Sequence, residues 1–186
     1  MKHLENPDAM RLFFALWPDE ATRAQLAELQ HGLKGRKTKR SNLHMTLAFL
    51  GEQPESSLAM LKGLLQELTV PDMRLMIDHI VYRKRQRMVW AGIHEDPESL
   101  FRLQRDICTA LERCGIEFDQ RNHFKPHITL TRDAAPVEAL HFEPVAWRAC
   151  HVALVQSVTD KTGVSYHVLA SRFSSTNTES NENRTG

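Results

Sequence analysis

The sequence predicts an α+β chain built from two pseudo-symmetric lobes, and two observations carry that expectation. The word His-x-Thr-Leu occurs twice, as His44-Met45-Thr46-Leu47 and as His127-Ile128-Thr129-Leu130. Each copy is preceded by the same order of features: an apolar strand, a proline beside acidic residues, an amphipathic helix, and a basic or polar loop. The two modules are of nearly equal length.

Taken in order, Arg11 to Trp17 is rich in aromatic residues and bounded by Pro18, the pattern of a buried strand. Pro18 suits the first turn of a following helix, Asp19 and Glu20 favour the positive end of its dipole, and Leu26, Leu29 and Leu33 recur at helical spacing. Gly32 and Gly35 loosen the chain before a basic loop, Lys34 to Arg40, which ends at the strand Asn42 to Gly51. Pro54 and Glu55 open a second helix with the apolar stripe Leu58, Leu61, Leu65 and Leu68, ended by Pro71. Arg74 to Tyr82 and Met88 to Ile93 read as a hairpin with a basic tip, Arg83 to Arg87. Asp96 is the expected N-cap of a third helix, with Pro97 at its first position, Leu100, Leu103, Ile107 and Leu111 on its buried face, and Cys114-Gly115 as its stop. After the second motif, Trp147 to Val158 and Val164 to Phe173 form strands joined by the turn Thr159 to Gly163. Residues 1–173 are thus expected to form a single bilobal domain, and the polar stretch 174–186 a disordered tail.

Composition narrows the function. With 24 Lys and Arg against 23 Asp and Glu, the net charge of +1 excludes a protein that coats long stretches of nucleic acid, so any basic site must be local. Cys108, Cys114 and Cys150 form neither a disulfide framework nor a Cys-x-x-Cys pair. The first ten residues lack the apolar core of a signal peptide, and no apolar run reaches membrane-spanning length. A reducing cytoplasm is the expected setting, without a membrane or an obligate protein partner.

On a regular strand residues i and i+2 share a face, so His44 lies beside Thr46 and His127 beside Thr129, while Met45, Leu47, Ile128 and Leu130 turn to the core. Two histidines facing one substrate can hold opposite protonation states, one as general base and one as general acid. That pair can hydrolyse at phosphorus without a metal, with the threonine hydroxyls donating to the phosphate oxygens. Arg132 stands five positions after His127, an odd interval that turns it away from the site unless a bulge or the strand's end intervenes. His123 and His127 are four apart, but Pro126 keeps them off one helix face and no cysteine or carboxylate set completes a metal site. Phe14 and Phe49 are expected in the core. The basic segments 34–40 and 83–87 either guide an RNA backbone or are solvated loops.

The paired motifs, the start Arg11 to Ala15, the run Asn42 to Gly51 and the run Pro126 to Arg132 resemble the bacterial RNA 2′,3′-cyclic phosphodiesterases, also called 2′-5′ RNA ligases, of the 2H phosphoesterase superfamily. The resemblance extends from Arg11 to Phe173 and includes Ser157 and Tyr166 in the last hairpin. It implies a bilobal fold with two antiparallel sheets facing a central cleft and helices outside. It also implies hydrolysis of 2′,3′-cyclic phosphates on RNA ends or nucleosides to 2′-phosphates, with reversible 2′-5′ ligation and no cofactor. His44 then matches the general acid that protonates O3′ and His127 the general base, with Thr46, Thr129 and Arg132 holding the phosphate. Two other readings stay open: a noncatalytic module that binds nucleotides or RNA ends, and a cyclic-phosphate hydrolase for an ADP-ribose derivative.

Overall fold

The computed structural model describes residues 9–95, 97–120, 123–137, 141–161 and 163–175. Among the described residues, ten strands and three α-helices follow the expected mixed order: β1 (Ala9–Leu16), α1 (Glu20–Glu28), β2 (Arg36–Lys37), β3 (Met45–Pro54), α2 (Leu58–Glu67), β4 (Met73–Ile77), β5 (His79–Arg83), β6 (Met88–Gly92), α3 (Glu98–Arg113), β7 (His127–Arg132), β8 (Val145–Ala149), β9 (His151–Asp160) and β10 (Gly163–Phe173). All pairings are antiparallel. Eight strands form one sheet in the order β10-β9-β1-β3-β7-β6-β5, with β2 on the far end of β7, and β4 and β8 form a separate two-stranded sheet.

The motif strands β3 and β7 lie side by side at the middle of the large sheet, yet they pair only at Met45 and Ile128. On one side β1, β9 and β10 complete a half built on β3; on the other, β6 and β5 complete a half built on β7. One face of both halves is covered by a core that includes Leu12, Phe14, Leu16, Met45, Leu47, Ile128 and Leu130 together with the buried stripes of α2 and α3. The opposite face carries a second, smaller apolar cluster of Phe13, Ala15, Trp17, Ala153 and Val155, with Tyr166 against it. Strand β1 is therefore apolar on both faces: one packs on the core, and on the other Phe13, Ala15 and Trp17 lie among Ala153, Val155 and Tyr166 of the neighbouring strands.

Several boundaries differ from the sequence reading for identifiable reasons. Asp19 precedes the first helix as its N-cap, its carboxylate accepting the Thr22 N–H at 2.7 Å, so Pro18 lies outside the helix. Gly51 does not close β3; at φ +69° it lets the strand continue through a bulge to Pro54, and a single 3₁₀ turn separates the strand from α2. The expected strand 74–82 breaks at Asp78 into β4 and β5, which join different sheets, and the expected strand 147–158 breaks in the same way at Cys150 into β8 and β9. A run that reads as one strand can change partners at a single residue without leaving extended backbone. Asp96, the expected cap of α3, and residues 176–186 of the expected tail lie outside the described residues. Ser174 is not part of a free tail: it is buried and its N–H donates to the Cys150 carbonyl at 2.9 Å. No described helix is long and apolar enough to cross a membrane.

Candidate active site

Both histidines are held in the same way. The Nδ1–H of His44 donates to the Asn42 carbonyl at 2.7 Å, and that of His127 to the Lys125 carbonyl at 2.7 Å, each two residues earlier in the chain. This fixes the tautomer and leaves Nε2 of each ring as the working nitrogen. Nε2 of His44 sits 3.1 Å from the Thr46 hydroxyl. The Asn42 side chain donates in turn to the Val164 carbonyl at 3.0 Å, tying the His44 backbone to the β9–β10 hairpin.

Each ring is backed by aromatic surface. His44 stacks on Phe13 at 4.9 Å and Trp17 at 5.6 Å, and meets the edge of Tyr166 at 5.1 Å. His127 stacks on Trp90 at 3.7 Å, with the planes 19° apart. Burial penalises the imidazolium, so the pKa of His44 falls to about 4; the Asn42 carbonyl pulls it back up, while the charges of His127 and Arg132 push it further down. His127 is lowered in the same sense, first by burial and then by Arg132 and Arg83, against the Lys125 carbonyl. In the free protein both rings are therefore neutral at neutral pH.

A bulge brings Arg132 to this face. In the β6–β7 ladder Trp90 pairs with Thr129 and Val89 with Thr131, so Leu130 is an extra residue. The face alternation slips by one: Thr131 turns into the core with no exposed surface, and Arg132, opposite Met88, returns to the side of His127 and Thr129. The Leu130 carbonyl accepts the Thr38 N–H at 2.9 Å and Nε2 of Gln30 at 2.8 Å, and the same Gln30 amide donates to the Thr38 carbonyl at 2.8 Å. Gly35, at φ +118°, lets the preceding chain lie against this turn; a Cβ there would stand 2.6 Å from the Arg132 carbonyl oxygen.

Strand β3 repeats the device. Thr46 pairs with Ala15 and Ala48 with Phe14, so Leu47 is extra in β3 as Leu130 is in β7. A second bulge at Leu50 has its carbonyl held by Nε2 of Gln53 at 2.8 Å. The slip after Thr46 places Phe49 opposite Phe13 on the histidine face, five residues after His44 as Arg132 is five after His127. Phe49 is 53% exposed, which corrects its expected place in the core; Phe14 is fully buried as expected.

The structure thus gathers His44, Thr46, His127, Thr129 and Arg132 on one face, adds Phe13, Trp17 and Trp90, which the sequence pattern had not singled out for the site, and brings to it Phe49, expected in the core, and Arg83 from the basic segment 83–87. Their signals were present. Phe13, Ala15 and Trp17 alternate with the core residues of β1, and Phe49 stands at the position equivalent to Arg132 in the repeat. Of the basic segment 34–40, Arg36 is paired with Asp133 and Arg40 with Glu20, so part of its charge is structural. Among the described residues, one trio has metal-ligand character, Asp78, His79 and His94, where the Asp78 carboxylate accepts from both Nδ1 atoms at 2.9 Å; it includes neither motif histidine. A surface cavity of about 510 Å³, lined in part by Gln25, Glu28, His31 and His141, likewise contains none of the motif residues.

Comparisons with known proteins converge on one family. The family model described as the 2′-5′ RNA ligase superfamily matches residues 17–161. The chain is 34% identical to the RNA 2′,3′-cyclic phosphodiesterase of Escherichia coli over 144 residues, 74% of this chain and 78% of that protein. It is 33% identical to the protein of the same name in Thermus thermophilus over 177 residues, 86% of this chain and 88% of that one. Its fold superposes on the crystal structure of Escherichia coli LigT complexed with 3′-AMP with a TM-score of 0.78 at 28% identity, covering 90% of this chain and 99% of the other. With these matches and its duplicated His-x-Thr strands, the chain is a member of the 2′-5′ RNA ligase superfamily.

Proposed function

We propose that this protein is an RNA 2′,3′-cyclic phosphodiesterase that opens the cyclic phosphate to a 2′-phosphate by two-histidine acid–base catalysis without a metal. The observation that carries the reading is the matched pair of imidazoles, each on a threonine-bearing strand with Nδ1 tied to a backbone carbonyl, which leaves Nε2 as the working nitrogen. His127 takes a proton from water as its oxygen bonds to phosphorus; the P–O3′ bond breaks, and His44 delivers a proton to O3′. Thr46 and Thr129 donate to the non-bridging oxygens and Arg132 neutralises their charge. The negative charge of the bound phosphodiester opposes the push of the arginine on His44, which lets that ring take up the proton it must give.

Residues 1–173 are read as one bilobal unit in which neither half holds a complete site. RNA ends and nucleoside 2′,3′-cyclic phosphates are the substrates, and 2′-5′ ligation is the reverse of the same displacement. The three free thiols suit the reducing cytoplasm that we assign as its setting. Incubating the protein with adenosine 2′,3′-cyclic phosphate in EDTA should give 2′-AMP, while His44→Ala and His127→Ala should give none although both variants still unfold cooperatively well above the assay temperature. Return of the input alone by the wild type would make the protein a binder, and full activity in either variant would refute the mechanism.

A further inference from the structure

The face that carries His127 does not end at β7. Across the β7–β6–β5 ladder, Arg132 stands opposite Met88 and Met88 opposite Arg83, so both arginines project from the same face. Between them Trp90 is flanked by His127 from β7 and by the Arg83 guanidinium from β5, the latter 4.9 Å from the ring centroid. A guanidinium laid on an indole is held in place while its in-plane N–H fork stays free for an oxyanion. Among the described residues neither Arg83 nor Arg132 has a carboxylate partner, whereas Arg23, Arg36, Arg40 and Arg148 each have one. Arg132 is accounted for by the reacting phosphate. Arg83, two strand spacings or about 10 Å away along the backbone, is not. Beyond it the tip continues with Lys84, Arg85 and Arg87, all exposed.

We propose that Arg83 binds a second phosphate, the phosphodiester that links the cyclic-phosphate-bearing nucleotide to the rest of an RNA strand, and so directs the site toward oligonucleotide ends over free nucleoside cyclic phosphates. This deepens the phosphodiesterase reading and rests on it. A nucleoside 2′,3′-cyclic phosphate carries one anionic phosphate and leaves Arg83 unanswered; an RNA end carries another one nucleotide upstream, which Arg83 on β5 is assigned to meet.

The test compares kcat/KM for adenosine 2′,3′-cyclic phosphate and for a trinucleotide ending in a 2′,3′-cyclic phosphate, across a KCl series, in the wild type, Arg83→Gln and Arg83→Lys. The wild type should prefer the trinucleotide. Arg83→Gln should cut that preference about tenfold, since a charged hydrogen bond to phosphate is lost. It should also flatten the slope of log kcat/KM against log salt on the trinucleotide by about 0.7, the share of one phosphate contact on a single strand. Arg83→Lys keeps the charge and should keep the slope. An equal loss on both substrates, or an unchanged slope, overturns the proposal and makes Arg83 a support for Trp90. Equal wild-type rates on the two substrates also overturn it while leaving the phosphodiesterase reading intact; hydrolysis of neither substrate removes that reading itself.

Discussion

Gln30 should control where Arg132 points. It is 5% exposed and donates its side-chain amide to two carbonyls at 2.8 Å, one of them on Leu130, the extra residue whose bulge returns Arg132 to the histidine face. Gln30→Met keeps the volume and removes the donor. The Leu130 carbonyl retains the Thr38 N–H at 2.9 Å, so the loss falls short of two orphaned acceptors; about 2 kcal/mol is the expected cost. For a chain of this size that corresponds to a fall in Tm of roughly 4–8 °C. Well below that Tm, kcat/KM should still drop about tenfold or more, because the guanidinium–phosphate contact is worth roughly 1.5–3 kcal/mol and depends on the bulge. The decisive measurement is the double variant. If Gln30 acts through Arg132, Gln30→Met combined with Arg132→Ala should be no slower than Arg132→Ala alone. Multiplying losses, or wild-type kcat/KM in Gln30→Met at a temperature where it is fully folded, would show that the glutamine is only a packing residue.

Other expectations follow from the two histidines. Because burial and neighbouring cations lower both, the bell-shaped pH profile of kcat/KM should peak below pH 6.5, and a maximum at or above pH 7.5 would contradict the proposed pair. His44 titrates near 4 in the folded protein and near 6.5 when unfolded, so the unfolded chain binds its proton first as the pH falls. Stability is therefore lost between about pH 6.5 and 4, by roughly 3 kcal/mol in all. Denaturant melts across that window should show a flatter acid limb in His44→Gln, and an identical limb would refute the assignment.

The amino-acid pattern made the elements and the His-x-Thr pairs readable, because apolar periodicity and duplication are local properties of the chain. The aim of Arg132 was not readable. Its face depends on one extra residue in β7, held by Gln30 from a distant helix end, and no local alternation records that contact. Phe49 was misplaced for the same reason: the slip at Leu47 reverses the parity that would have buried it. The breaks at Asp78 and Cys150 leave no mark in the sequence because extended backbone on both sides of a corner has the pattern of one strand. Arg83 was visible as a charge, while its seat on Trp90 depends on the register between β5 and β6.

The equivalence of Phe49 and Arg132 has a stereochemical consequence. Two identical half-sites would accept a cyclic phosphate in two poses related by the local two-fold, with His44 and His127 exchanging the acid and base roles between them. An apolar lip on one side and a cationic lip on the other remove that degeneracy. The sugar and base have one favourable direction and the phosphate oxygens another, so under the proposed chemistry O3′ lies at His44 and the attacking water at His127. Under the proposed chemistry, the fixed division of labour between the duplicated histidines draws on this difference between repeats together with the different aromatic rings that back each of them.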